Sequence, residues 1–274
     1  MGKFDGVLIC TDLDGTLYRN DKTISKENKE AIEYFKREGG LFTFITGRMP
    51  YYSEQAYLMV GPNVPYGCVN GGGVYDGEAK KYVWTRPVAE GIFDLIGRAD
   101  EDFPHVGIQV CTFDKTYFVK ENEVTVRFRK ETGLPYLSCH YREVTEPVAK
   151  ALFCTEHEEE LLAIEKTLRA HPLADAFDFV RSARTLFEIL PKGANKGLSL
   201  EKLTEYLGVD QAKTVAIGDY DNDVEMLKRA SLGVAVANAC PAAKEAADVV
   251  TVSNEEHAVA RVIEDIAAGR IKRI

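Results

Sequence analysis

Two aspartates two positions apart, Asp12 and Asp14, follow the apolar run Val7-Leu-Ile-Cys10 after a single threonine, Thr11. Side chains two apart on an extended segment point the same way, so both carboxylates converge at the carboxyl end of a strand, and Gly15 lets the chain turn away. Such a pair can divide into nucleophile and acid/base, or share a hard divalent cation with further acids. Two more apolar runs end in polar clusters. Thr46-Gly47-Arg48 closes Leu41-Phe-Thr-Phe-Ile45, and Gly218-Asp-Tyr-Asp-Asn-Asp223 closes Thr214-Val-Ala-Ile217. Lys196, within Lys192-Gly-Ala-Asn-Lys-Gly197, adds a cation before a helix expected to begin near Leu198. Several acids, one hydroxyl and one ammonium thus gather at strand ends, where the ligand sites of parallel sheets lie.

Each piece also has a plainer use. An isolated Asp-x-Asp after a strand is turn and helix-cap chemistry, and an isolated lysine before a helix is a surface residue. Asp219, Asp221 and Asp223 have the spacing that opens a calcium loop, but Val224 and Ala230 stand where such a loop needs Gly and Glu. Asp221 reads as a solvated loop acid. Arg48 divides evenly between substrate contact and surface. Asn70 reads as shaping or lining the cleft, and the glycines after it also fit a loop before an Asp76-Gly77 hairpin turn. The five histidines form no HExxH spacing. What separates the readings is coincidence: three polar clusters at three equivalent strand ends are far less expected than one.

The elements that must position these residues follow from hydrophobic patterning. The runs at 7–10, 41–45, 214–217 and 232–236 lack the alternation of a half-exposed strand, so they read as strands buried on both faces and therefore parallel. Ser25 to Gly39 reads as a helix with Ser25 as N-cap, and Asn222 to Ala230 and Pro241 to Ala247 as two more, with Asp248 to Val252 a last strand. The alternation predicts an α/β fold with a doubly wound, Rossmann-like parallel sheet. Between Val83 and Leu190 the texture changes to strands in succession (105–111, 116–120, 150–155, 177–182, 185–190), with helical patterns at 87–100 and 156–171. That predicts an α+β module inserted into the sheet domain, with residues 1–83 and 191–274 forming the core domain and 84–190 the insert.

Composition narrows the partners. With 34 Lys and Arg against 43 Asp and Glu, the chain carries a formal net charge of −9, which argues against a nucleic-acid binder that must neutralise many phosphates. No run of about 18 apolar residues suggests a membrane span, and no apolar stretch of signal-peptide length precedes Asp12. The six cysteines show no CxxC spacing, so reduced thiols and a cytoplasmic location are expected. Oligomeric state is not legible.

Taken together, Asp12-Leu-Asp-Gly-Thr16, Thr46, Lys196 and the Gly218-Asp219-x-x-Asn222-Asp223 segment resemble, in order, the four motifs of the haloacid dehalogenase (HAD) superfamily. The insert has the position and size of the large α/β cap of its Cof-like, type IIB branch, and Asn70-Gly-Gly72 also resembles that branch. The resemblance implies a Mg2+-dependent phosphatase acting on a small phosphomonoester, a sugar phosphate or phosphorylated cofactor, through an aspartyl-phosphate on Asp12. It implies that Asp12 and Asp219 bind the metal through side chains and Asp14 through its main-chain carbonyl, with Asp223 either binding it directly or supporting the residues that do. Asp14 would be the acid/base, while Thr46 and Lys196 hold the phosphoryl oxygens. Gly47, Arg48, Asn70 and Asn222 are the further expected substrate or phosphate contacts. A phosphomutase of the same superfamily is the alternative, and a phosphoryl-accepting signalling domain is the reading from another class; the latter would need neither Asp14 nor a cap.

Overall fold

The computed structural model describes residues 2–271. The chain divides into two compact units, one formed by Met1–Trp84 with Asn195–Ile274 and the other by Thr85–Ala194. In the first, a five-stranded parallel sheet has the order Val249–Val250, Leu232–Ala235, Thr214–Gly218, Leu8–Thr11, Leu41–Phe44. The central strands are buried along their whole length, as strands covered on both faces must be.

Strand order explains where the helices lie. From Leu8–Thr11 the chain crosses one way through the helix Lys26–Arg37 to Leu41–Phe44; from Thr214–Gly218 it crosses the other way through Val224–Arg229 to Leu232–Ala235. Right-handed crossovers running in opposite directions put helices on opposite faces. Accordingly Lys26–Arg37 packs with Ala258–Ala267, while Val224–Arg229 packs with Lys196–Leu207 and Pro241–Ala246. The order reverses between the strands that end at Thr11 and Gly218, and a cleft forms at such a switch point, beyond the carboxyl ends of the strands.

Local chemistry sets the element ends. The Ser25 side chain accepts from the Asn28 N–H at the start of Lys26–Arg37. The helix expected near Leu198 starts at Lys196, because the Asn195 side chain caps it by accepting from the Leu198 N–H; Lys196 therefore lies in its first turn. Residues 66–85, where the sequence suggests a loop and a hairpin turn, form a three-stranded antiparallel sheet of Tyr66–Cys68, Gly73–Asp76 and Lys81–Thr85.

The second unit is an antiparallel sheet in the order Thr116–Lys120, Gly107–Thr112, Val148–Cys154, Leu186–Pro191, Phe177–Ala183. One face buries Ile108, Val110, Phe153, Phe187 and Ile189 with Leu95, Ile96, Leu161 and Ile164 of the helices Ile92–Asp102 and Glu158–Arg169. On the alternate positions Lys150 and Glu188 form a buried ion pair at 2.9 Å, and Ser182 donates to the same carboxylate. The helix Glu123–Thr132 has no counterpart in the sequence reading, since Val124, Thr125 and Val126 favour strand; the Asn122 side chain, accepting from the N–H groups of Val124 and Thr125, starts it. No helix among the described residues is long and apolar enough to cross a membrane.

Candidate active site

The site is built on the three strands that meet at the switch point. Asp12 directly follows Leu8–Thr11, and its N–H donates to the Ile217 carbonyl at 2.8 Å, locking it beside the strand that ends at Gly218. Asp219 and Asp223 follow that strand. Carboxylate oxygens of Asp12, Asp219 and Asp223 lie within 4.8 Å of one another. Lys196 Nζ reaches between two of them, 2.5 Å from Asp12 Oδ1 and 2.6 Å from Asp223 Oδ1. The other Asp223 oxygen accepts from the backbone N–H groups of Asp219 (2.9 Å) and Tyr220 (3.0 Å). Thr16 donates to Asp219 Oδ1 at 2.7 Å.

Two glycines make this approach possible. Gly15 has φ +86°, and a Cβ there would stand 2.5 Å from Asp219 Oδ2; at Gly218 a Cβ would stand 2.6 Å from the Asp223 Cβ. Any side chain at either position would push the carboxylates apart.

One ammonium among three carboxylates leaves the cluster over-charged. Burial pushes the Asp12 carboxyl up to about 8 against the pull of Lys196, with Asp223 and Asp219 adding to the rise. Burial likewise raises Asp219 to about 6, opposed by the Thr16 hydrogen bond. Lys196, although buried, is held above the ordinary lysine range by Asp12 and Asp223. Excess buried negative charge on hard oxygen donors is the donor set of a small divalent cation.

Asp14 is separated from this group. Its carboxylate accepts from Arg48 at 2.7 Å and from Lys22 at 2.8 Å. Burial would raise it, but the two cations outweigh burial and hold it below the usual carboxylate range. Thr46 is buried and follows Leu41–Phe44; its hydroxyl accepts from the Arg48 N–H at 3.3 Å. Asn70 donates its N–H to the Thr46 carbonyl at 3.1 Å, and its side-chain oxygen accepts from Asn222 Nδ2 at 3.2 Å. Gly47 lies under the Asn70 amide, close enough that a Cβ would stand 2.8 Å from Asn70 Nδ2. The structure thus brings Asp12, Asp219, Asp223 and Lys196 into one cluster, joins Thr46, Gly47, Asn70 and Asn222 in another, and pairs Asp14 with Arg48.

Sequence reading missed a third group, which holds the turn after Asp14. Asn238 Nδ2 donates to the Gly15 carbonyl (2.8 Å), Asn254 Nδ2 donates to the Tyr18 carbonyl (3.0 Å), and Glu255 accepts from the Asn20 N–H (2.7 Å) and Arg19 Nε (3.0 Å). Lys22, at the end of that turn, was also missed. The contacts of Asn238, Asn254 and Glu255 join segments more than 200 positions apart, and no local pattern signals them.

Comparisons with known proteins place the chain in a family. The family model of haloacid dehalogenase-like hydrolases matches residues 9–263. The 5-amino-6-(5-phospho-D-ribitylamino)uracil phosphatase YitU of Bacillus subtilis is 31% identical over 264 residues, spanning 94% of this chain and 96% of that one. The HMP-PP phosphatase of Serratia proteamaculans is 30% identical over 249 residues, 86% of each chain. A haloacid dehalogenase-like hydrolase from Bacteroides thetaiotaomicron superposes with a TM-score of 0.82 at 27% identity, covering 96% of this chain and 100% of that one. A doubly wound parallel core interrupted by an antiparallel α+β unit places the protein among α/β hydrolases with an inserted domain. It belongs to the haloacid dehalogenase-like hydrolases, in their Cof-like branch, and is a phosphatase.

Proposed function

We propose that the protein is a magnesium-dependent phosphohydrolase for a small phosphorylated metabolite, working through a phosphoryl group carried on Asp12. The observation behind this reading is the convergence of Asp12, Asp219 and Asp223 around a single ammonium. Asp12 and Asp219 would hold the cation through their side chains and Asp14 through its main-chain carbonyl, with Asp223 contributing what its bonds to Lys196 and the backbone leave free. When bound, magnesium supplies the charge that lets a phosphate dianion approach a carboxylate.

The residues then divide the work. An Asp12 oxygen attacks phosphorus and the bond to the leaving oxygen breaks. Lys196 and the Thr46 hydroxyl hold the equatorial phosphoryl oxygens, where negative charge must be matched in the transition state. Asp14, outside the acid cluster, gives a proton to the leaving alkoxide and then takes one from the water that cleaves the acyl phosphate. For this it must first be protonated, so Arg48 and Lys22, which hold it ionised, would have to release it when substrate binds. The names of the uracil phosphatase and the HMP-PP phosphatase support a sugar phosphate or phosphorylated cofactor as the substrate class.

The test is phosphate release from about a hundred phosphorylated metabolites with magnesium, repeated in EDTA and with Asp12→Asn. Turnover that persists in EDTA, or in Asp12→Asn, would overturn the reading.

A further inference from the structure

Positive charge outnumbers negative around the Asp14 side chain. Its two carboxylate oxygens accept one bond each, from Arg48 Nη2 at 2.7 Å and from Lys22 Nζ at 2.8 Å, so one carboxylate meets two cations. Guanidinium and ammonium groups each carry several donors, and among the described residues neither side chain makes another hydrogen bond. In a chain of net charge −9, this surplus is local. Tyr18 adds a neutral donor beside it. The residue is bridged to Asp14 through the backbone and is only 3% exposed, yet its hydroxyl has no hydrogen-bond partner among the described residues. Burial pushes the phenol up to about 12, and the charges of Arg48, Asp14 and Asp12 act on it as well, so at neutral pH it keeps its proton.

The turn that carries these groups is held in place. Arg19 N–H donates to the Thr23 carbonyl and Lys22 N–H to the Arg19 carbonyl, both at 2.9 Å, and Asp21 accepts from the Thr23 N–H and hydroxyl. Lys22 sits at φ +64°, where a residue other than glycine persists only if the surrounding structure enforces it. Outside the turn, Asn254 fixes the Tyr18 carbonyl, and Glu255 pairs with Arg19. Arg19 is thereby neutralised, and Lys22 is the cation of the turn that is turned to Asp14.

In the phosphatase reading the phosphoryl group is matched by Lys196, Thr46 and the metal, and what comes to Asp14 is the leaving oxygen with the group attached to it. Asp14 must reach that oxygen, so Arg48 and Lys22 have to let its carboxylate go, and displaced cations at a partly buried site need another anion. Resting on that reading, we propose that Lys22 and Tyr18, together with Arg48, form a second anion site on the leaving-group side of Asp14, and that the substrate is a phosphomonoester whose leaving group carries a further acidic group. The planar fork of Arg48 and the rotatable ammonium of Lys22 suit a carboxylate or a second phosphate alike.

The test uses the full chain with magnesium at low ionic strength and compares kcat/KM for the phosphate monoester of propane-1,3-diol, the phosphate monoester of 3-hydroxypropionate and propane-1,3-diol bisphosphate. All three release a primary alkoxide, so their ratios cancel any change in proton donation by Asp14. The parent protein is expected to prefer one or both anionic esters over the diol monoester, the bisphosphate beyond what its two equivalent ends give; which one it prefers identifies the acidic group. Lys22→Gln should lower that preference roughly 2- to 5-fold, the size of an exposed ion pair, Tyr18→Phe should lower it too, and added salt should weaken it in the parent. Inhibition by inorganic phosphate, which has no leaving group, is the control: a loss of phosphate affinity in Lys22→Gln as large as the loss of preference would assign the cations to the phosphoryl group and overturn the proposal. Equal kcat/KM for all three esters in the parent, or a preference that survives both substitutions, would overturn it and leave the phosphatase reading standing. Failure to hydrolyse these esters and p-nitrophenyl phosphate would overturn both.

Discussion

Lys196 Nζ lies 2.5 Å from Asp12 Oδ1 although 184 positions separate the two residues, and both are buried. The same ammonium also holds Asp223, so Lys196→Met strands two carboxylates in the interior. Removing one partner from a buried ion pair costs about 3–5 kcal/mol. The urea midpoint of Lys196→Met is therefore expected to fall well below that of the parent, with Lys196→Met/Asp223→Asn recovering part of the loss and neither variant turning over. An unchanged midpoint in the single variant would show that the ammonium does not hold the cluster.

The raised carboxyls of Asp12 and Asp219 make the metal-free protein sensitive to pH in a direction opposite to that of most acids. In the unfolded chain both deprotonate near pH 4; in the folded protein they hold their protons to about 8 and about 6. Across that window the folded state binds more protons than the unfolded one, so stability falls as pH rises. In EDTA, unfolding free energy should decline from about pH 4 to about pH 8, and Asp219→Asn should flatten the part between 4 and 6. Saturating magnesium should reverse the trend, since metal binds the deprotonated carboxylates. Urea titrations at a series of pH values read all three; a rise in stability with pH in EDTA would contradict the burial argument.

Asp12 and Asp14 should fail differently. Asp12→Asn removes the nucleophile, so every monoester should drop to near background. Asp14→Asn keeps it but removes the proton donor, which matters most for an alkoxide leaving group. An alkyl phosphate should then stall at phosphoryl transfer, whereas p-nitrophenyl phosphate, whose phenolate leaves unaided, should give a burst followed by slow turnover as the phosphoenzyme accumulates. Stopped-flow release of p-nitrophenol separates the variants; a burst from Asp12→Asn would reverse the assignment.

In the antiparallel unit, the buried Lys150–Glu188 pair offers an independent check on packing. Glu188→Leu alone leaves an ammonium at a nearly fully buried position and should destabilise by about 3–5 kcal/mol, while Lys150→Met/Glu188→Leu, of similar volume, should come close to the parent or exceed it. Denaturation curves of the single and double variants decide. A double variant as unstable as the single one would mean that the pair is needed for more than neutralising its own charge.

The parallel core was legible because its signals are local. A strand covered on both faces carries few polar residues, so Val7–Cys10 and Val215–Ile217 stand out as apolar runs, and the acids that soon follow them, Asp12 and Asp219, lie at the carboxyl edge. The helix Lys26–Arg37 announces itself by Ser25 and by Ile32 and Phe35 on one face. Glu123–Thr132 does not, because its β-branched residues argue for strand and its start depends on one Asn122 side chain.

By itself, the sequence determined the residue types and the strand ends that carry them: acids after two strands, Thr46 after a third, a lysine at a helix start. Only the tertiary structure decided how they pair. Lys196 is shared by Asp12 and Asp223, Asp14 faces Arg48 and Lys22, and Asn70 is bent over Gly47 with one donor unspent. The physical reason is range. Apolar patterning acts over a few residues and repeats with the period of a strand or helix, whereas a hydrogen bond or ion pair acts over about 3 Å between groups whose meeting depends on the register of every strand and turn between them.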